Sequence, residues 1–182
     1  MHKALVKAIK EKYFFRPYSK NYLKFFAQEK STLLDVLKAI PKKKVFHIGS
    51  TSVSGLGGKR VIDIIALVPK GIFSTAREFV EDAGYKYDSS LHGRSLFLKY
   101  AMVKGKPRLI HLHLTYSKKE LIKALAFRDY LRSHKKARKE YEAIKQKASR
   151  CCGGNGLKYK AAKLRFVEET LKKALREYAG KE

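Results

Sequence analysis

Carboxylates are scarce in this chain. Its 182 residues carry 16 Asp and Glu against 42 Lys and Arg, for a formal charge of +26 and a pI near 10.1. A surplus of that size favours a polyanionic partner such as RNA, DNA or an anionic membrane surface. The plainer alternative is a lysine-rich surface of the kind seen in heat-adapted proteins, but there glutamate rises with lysine, and here it does not. Cysteine is nearly absent too. Cys151 and Cys152 are adjacent; neighbouring cysteines bridge only with strain, and no second pair exists. That excludes a disulfide framework, disfavours a zinc site for the same reason, and suits a reducing interior. No apolar run approaches the length of a membrane span, and the opening residues lack the apolar core of a signal peptide. The expectation is a soluble cytoplasmic protein that does not enter a membrane. Hydrophobic residues still make up 45% of the chain, enough for the core of one domain.

What is present divides into three stretches of a single domain. Residues 1–41 read as helical. Positions 2–12 place Leu5, Val6 and Ile9 on one side, and beyond Pro17 a helix is predicted over 21–40, with Asn21 as N-cap and Pro41 as its stop. Residues 42–116 read as a small sheet, with strands over 45–48, 61–68, 95–103 and 108–114 and a turn at 104–107. Thr75 and Glu78 form a capping box for a crossover helix whose C-cap is Gly84. Residues 117–182 read as helical again. Ser117 and Glu120 make a second capping box, and helix propensity stays high to Arg150, with Tyr130, Ala137, Tyr141, Ile144 and Ala148 on an apolar stripe. After an interruption at 151–156, a last helix covers 157–178. The order predicts an α+β or α/β fold, a small mixed sheet with helices packed on or beside it. No internal repeat is visible.

The stretch that carries chemistry is HIGSTSVSGLGGKRVIDIIALV, from His47 to Val68. Gly49 and Ser50 directly follow a predicted strand. Small residues there let backbone N–H groups approach a phosphate, and the Ser50 hydroxyl adds a donor. The segment is neither a Walker A loop, since no Gly-Lys-Ser/Thr closes it, nor a Rossmann turn, since G-x-G-x-x-G is absent. Twelve residues separate Ser50 from Asp63. On the strand, Val61, Asp63, Ile65 and Leu67 share one face and Ile62, Ile64, Ala66 and Val68 the other. An acid on a strand face is costly unless it pairs, binds a metal or faces a cleft. Pairing with Lys59 or Arg60, close in sequence, is the plain alternative.

A Gly-Ser pair, a dozen residues and then an acid on a strand resembles the nucleotidyltransferase superfamily that includes DNA polymerase beta. The wider text resembles one branch of it, the GrpB family, through PYSKNYLKFFAQEK, HIGSTSVSGLGGKRVIDI, IHLHL, FRDYLRSHKKARKEYEAIK and YKAAKLRFVEETL, which span most of the chain. The resemblance implies a small mixed sheet of the nucleotidyltransferase fold with flanking helices, and a divalent cation, Mg²⁺ or Mn²⁺, at Asp63. Active members of the superfamily carry a second acid two residues after the first and a third on a neighbouring strand. Here the second position is Ile65, and the neighbouring strand offers His111 and His113, which share a face by the period of two. One carboxylate with two imidazoles suits a His-preferring transition metal better than Mg²⁺. Equally, the histidines could be neutral and bonded to phosphate or to Asp63. Where the family reads Val-Pro-Gly and Lys-Pro, this chain has Val53, Ser54, Gly55 and then Lys59, Arg60.

Arg128 in FRDYL, Arg94 in HGRSLFLKY and Lys163 in YKAAK match family positions, and the resemblance implies that they hold phosphate; a guanidinium can clamp a triphosphate bidentately. Arg128, Arg132, Lys135 and Lys139 fall on one face of the long predicted helix. From 118 to 150, twelve Lys and Arg stand against four acids, which makes either a solvated face or a nucleic-acid surface. The aromatics Tyr13, Phe14, Phe15, Tyr18, Phe25 and Phe26 are interleaved with basic residues and serve either the core or base stacking. The expected function is nucleotide binding and transfer of a nucleotidyl group from an NTP to an acceptor hydroxyl. Asp63 and Ser50 would stand at the reacting centre. Gly49, Ser50, Thr51, Lys59, Arg94, Arg128 and Lys163 would bind phosphate, and Asp63, His111 and His113 the metal. The alternative is a non-catalytic nucleotide- or RNA-binding module of the same fold.

Overall fold

The computed structural model describes residues 14–103 and 106–180. The helix expected over 2–12 therefore lies outside the described residues, as do positions 104 and 105 of the expected turn. The described chain forms α1 (Asn21–Val36), β1 (Lys44–Ile48), β2 (Ile62–Leu67), α2 (Phe73–Asp82), β3 (Lys86–Leu91), β4 (Arg94–Val103), β5 (Lys106–Thr115), α3 (Lys118–Ser133), α4 (Lys135–Cys151) and α5 (Gly156–Ala179). The sheet order is β1-β2-β5-β4-β3. β2 and β5 run parallel and the other neighbours antiparallel, so the sheet is mixed and the fold is α+β.

The alternation in β2 sorts the layers. Ile62, Ile64, Ala66 and Val68 enter the larger core with Leu33 and Leu37, Ala76 and Val80 of α2, and Ile110, Leu112 and Leu114 of β5. Ile65, on the other face, packs with Ile48 and with Leu121 and Leu125 of α3. β2 is thus apolar on both sides, as a central strand in a three-layer arrangement must be. Ile64 and Ile65 are both fully buried, and each such side chain contributes about 1.5–3 kcal/mol. α5 packs along α3 and α4. The glycine-rich loop after β1 is held against this helical layer by Val53 and Leu56, which pack with Leu131 and Tyr141. Among the described residues no helix is long and apolar enough to cross a membrane.

Several expected boundaries move. Asn21 lies inside α1, whose N-cap is Lys20; Ser19, not Asn21, accepts a bond there, from the Asn21 N–H at 3.3 Å. α1 ends at Val36, and a turn carries the chain to Ile40. α2 starts at Phe73, two residues before Thr75, and no side chain caps it, so Thr75 and Glu78 do not form a box. Gly84 does end this helix, with φ +85 and its N–H bonded to the Glu81 carbonyl. At α3 only half of the second box forms. The Ser117 hydroxyl accepts from the Glu120 N–H, while the Glu120 carboxylate turns to Lys123 and Arg94. The helix expected to run to Arg150 breaks at His134, whose φ of −105° and ψ of +89° are not helical. The His134 ring stacks on Tyr130 at 3.9 Å, and its Nδ1 meets the Tyr130 carbonyl. β3 has no expected counterpart. All six of its residues are exposed, so no buried face marks it.

Candidate functional site

β1 delivers the chain to Gly49, which adopts φ +68 and ψ −173, a region open essentially to glycine alone. A Cβ at Gly49 would lie 2.2 Å from Oδ2 of Asp63. The glycine therefore serves two needs, a sharp exit from the strand and room for the carboxylate. Gly49→Ala should lower stability by about 3 kcal/mol or more, since backbone strain and overpacking add. Gly55 also has positive φ but nothing within 4 Å of an added Cβ, so Gly55→Ala should cost about 1 kcal/mol. Urea unfolding of the two variants checks the contrast.

Residues Ser50 to Ser52 form a 3₁₀ turn closed by the Ser52 hydroxyl, which donates to the Gly49 carbonyl at 2.6 Å. Thr51, expected at phosphate, is buried instead; its hydroxyl donates to the Val61 carbonyl at 2.9 Å and lies 3.0 Å from His47 Nε2. Because that hydroxyl proton is committed, His47 Nε2–H is the donor. Burial holds the His47 imidazole down to about 4, hence neutral, and it stacks on Phe26 at 4.5 Å.

Two arginines of α3 fasten the turn from behind. Arg128 donates to the His47 carbonyl at 3.0 Å and grips Asp129 with Nε and Nη2. Arg132 puts Nε and Nη2 on the Ser52 carbonyl at 3.1 and 2.8 Å and Nη1 on Asp129. Arg128, expected to clamp a triphosphate, thus has its fork on Asp129. The basic row of 128, 132, 135 and 139 is divided by the break at His134. Arg94 does not join the loop either. It stands opposite Thr115 at the far end of β5 and pairs with Glu120 at 3.6 Å.

Asp63 is the centre of the site. Its Oδ1 lies 3.2 Å from His111 Nδ1, with Asp63 and His111 facing each other in the parallel β2–β5 register. Burial alone would raise the Asp63 pKa. The His111 hydrogen bond and the charges of His111, His113 and Lys59 outweigh it and hold the carboxylate below its ordinary range. With Nδ1 turned to Asp63, His111 keeps a buried Nε2 that has no partner. His113 follows on the same face, beside Ile65. Burial first, and then the Arg94 charge, push it down to about 4, and its buried Nδ1 has no partner. Among the described residues no three His, Cys, Asp or Glu side chains are arranged to hold a metal ion. Asp63 Oδ1 is taken by His111 Nδ1, and the position two residues beyond Asp63 is the apolar, fully buried Ile65. The donor set does not fit a resident divalent cation.

Lys59, Lys145 and Lys163 all feel the Asp63 charge. Lys59 and Lys163 lie over the Tyr159 ring at 5.0 and 5.5 Å, and Lys145 over Tyr141 at 4.8 Å. Lys145 is 2% exposed. It donates to the Gly57 carbonyl, while Glu142 accepts from the Gly57 N–H at 2.8 Å, so α4 holds both backbone polar groups of one residue. A Cβ on the next residue, Gly58, would meet the Ser50 hydroxyl at 2.5 Å and Lys145 Nζ at 3.4 Å, which places that hydroxyl and that amine on one small patch. Burial, and then the Lys163 charge, bring Lys145 down to about 7. Burial also lowers Lys163. Among the described residues no carboxylate forms a salt bridge with either. The structure therefore gathers Gly49, Ser50, Lys59, Asp63, His111 and Lys163 of the expected set, with His113 beside them. It adds Lys145, which sequence reasoning missed. Its signal was a lysine at helical spacing between Tyr141 and Ala148, two residues of the apolar stripe.

Comparison with known proteins places these residues in context. The family model described as GrpB protein matches residues 13–173. A relative from Alkalihalophilus pseudofirmus, the glutamate-rich protein GrpB, is 29% identical over 85% of this chain and 91% of its own length. A UPF0157 protein of Halalkalibacterium halodurans is 32% identical over 86% of this chain and 80% of its own. The solved structure of GrpB from Enterococcus faecalis superposes with a TM-score of 0.78 at 29% identity, covering 91% of this chain and 99% of that one. The Cid1 poly(U) polymerase with MgGTP bound superposes at 0.52 and 18% identity, over 80% of this chain and 48% of that one. At that identity the match is one of fold.

Proposed function

The chain belongs to the GrpB family, and from that premise we propose that it binds a nucleoside triphosphate where β1 and β2 meet α4 and α5, and transfers its nucleotidyl group to an acceptor hydroxyl. The observation that carries this reading is the charge balance at Asp63: three lysines, on two helices and a loop, act on one carboxylate that is already bonded to a histidine. Crowded cations that Asp63 and Glu142 only partly offset are costly, above all at the buried Lys145, and a polyphosphate would repay that cost. The phosphates would lie against the Gly49 backbone and the Ser50 hydroxyl, with Lys59, Lys145 and Lys163 neutralising them. Asp63 would orient the His111 ring so that Nε2 faces the reacting centre. The acceptor oxygen would then form a bond to the α-phosphorus as the α–β bridging bond breaks. The proton would pass to His111 Nε2, and pyrophosphate would leave.

Ile65 favours a second reading. A fully buried aliphatic residue stands where an acid would bind a cation, as expected of a module that binds nucleotide without turning it over. One experiment separates the two. Binding of NTP is measured by calorimetry in Mg²⁺ and in EDTA, and label is followed from α-³²P-NTP into an RNA extract. Metal-independent binding with label transfer is expected. Metal-independent binding without transfer favours the module, and no binding in either condition removes both.

A further inference from the structure

A second cationic feature lies on the other side of the sheet. Arg108 alternates in β5 with Ile110, Leu112 and Leu114 of the larger core, away from His111 and His113. Its guanidinium lies over the Phe25 ring of α1 at 4.9 Å. Arg60 and Arg108 stand two residues ahead of the paired Ile62 and Ile110. The charges of Arg60 and Arg108 both act on the Tyr22 phenol, one turn of α1 before Phe25. The two arginines also act on each other: burial and then the Arg60 charge weaken proton binding at Arg108.

Three features of this pair cost free energy as they stand. The exposed Arg60 adds a second positive charge beside the half-buried Arg108, and among the described residues neither guanidinium has a carboxylate in salt-bridge reach. Arg108 Nε is buried and has no hydrogen-bond partner, a loss comparable to a missing hydrogen bond. Arg60 holds φ +62, a conformation disfavoured for a residue with a Cβ. One tetrahedral anion would address the first two together, because guanidinium forks fit phosphate oxygens and a shared anion turns repulsion into attraction. The phenol hydroxyl has a proton to donate to the same anion.

We propose that Arg60, Arg108 and the Tyr22 hydroxyl form a second phosphate-binding site, on the α1 face of the sheet and apart from Asp63. Its ligand is a phosphate group, carried either by a free phosphate or by the backbone of a nucleic-acid strand. The site does not depend on nucleotidyl transfer. The test reads Arg108 directly. In ¹H–¹⁵N spectra of the full chain, the Arg108 Nε–H resonance is followed during titration with inorganic phosphate and, separately, with a short single-stranded oligonucleotide lacking terminal phosphates. A saturable shift is expected in the wild type and equally in the Lys145→Gln/Lys163→Gln variant, in which the Asp63 site is disabled. Arg60→Gln, which leaves the observed Arg108 Nε–H in place, should weaken binding about tenfold or more. Saturation at lower oligonucleotide than phosphate concentration identifies a nucleic-acid backbone as the source; the reverse order identifies a free phosphate. An Nε–H that neither ligand moves, a shift that survives Arg60→Gln undiminished, or one that vanishes with the two lysines overturns the proposal.

Discussion

Asp63→Asn is expected to leave nucleotide binding intact or tighter while reducing transfer by about 10³-fold or more. The substitution keeps the side chain's shape against Gly49 and leaves an amide oxygen for His111 Nδ1–H. It removes the negative charge that orients the imidazole and would stabilise it once Nε2 has taken the acceptor proton. The same charge opposes the incoming phosphates, so its loss should tighten NTP binding modestly. Calorimetry and label transfer on the same preparation give both numbers. A fall in affinity of about tenfold or more would mean that the carboxylate holds the ligand rather than the base, for example through a cation arriving with the nucleotide. Unchanged transfer would remove Asp63 from the chemistry. The protein-only reading requires the two quantities to move apart.

The parts of this site that were legible beforehand share a cause. Gly49, Ser50 and Asp63 lie on one short stretch, where strand periodicity alone decides which side chain meets which face, and β2 kept the expected alternation. Neighbouring strands add only a register, which is why His111 and His113 could be placed on Asp63's face. What was not legible depends on partners distant in sequence. Arg128 and Arg132 looked like a solvated or phosphate-binding row, yet their donors are used by the carbonyls of His47 and Ser52 and by Asp129. Whether a guanidinium is free is a property of the folded neighbourhood. Arg94 matched a family position but answers to Glu120, because the α3 N-terminus packs there. β3 escaped because a fully exposed edge strand has no apolar period to detect. Its one cue was His92-Gly93, a two-residue hairpin turn with φ of +52 and +74. The break at His134 carried no Gly or Pro. It rests on a ring stacked on the preceding turn, which no propensity scale contains.

Lys145 should give the strongest effect on nucleotide affinity, and it should do so with opposite pH signatures in the free and bound protein. In the free protein its proton leaves at about 7 rather than at its ordinary 10.5. Burial and Lys163 cause the shift, and Glu142 and Asp63 only partly oppose it. Between those two values the unfolded chain holds a proton that the folded chain has lost. Stability without ligand should therefore rise with pH from about 7 towards 10, by at most about 1.4 kcal/mol per unit. Lys163, also lowered by burial, acts in the same direction. Above that window the buried phenols of Tyr85, Tyr141 and Tyr159, all shifted upward, reverse the trend. Phosphate has the contrary effect, since it favours the ammonium form. NTP binding should take up a proton and weaken as pH rises from 7.5 to 9.5, approaching tenfold per unit, a range in which the triphosphate itself is already ionised. Lys145→Gln should flatten both slopes, and Lys145→Gln with Lys163→Gln should weaken NTP binding by about 100-fold or more. Thermal unfolding across pH, paired with calorimetry in buffers of different ionisation enthalpy, measures stability and proton uptake on one sample. Parallel slopes, or slopes that persist in Lys145→Gln, would place the polyphosphate elsewhere than on this buried amine.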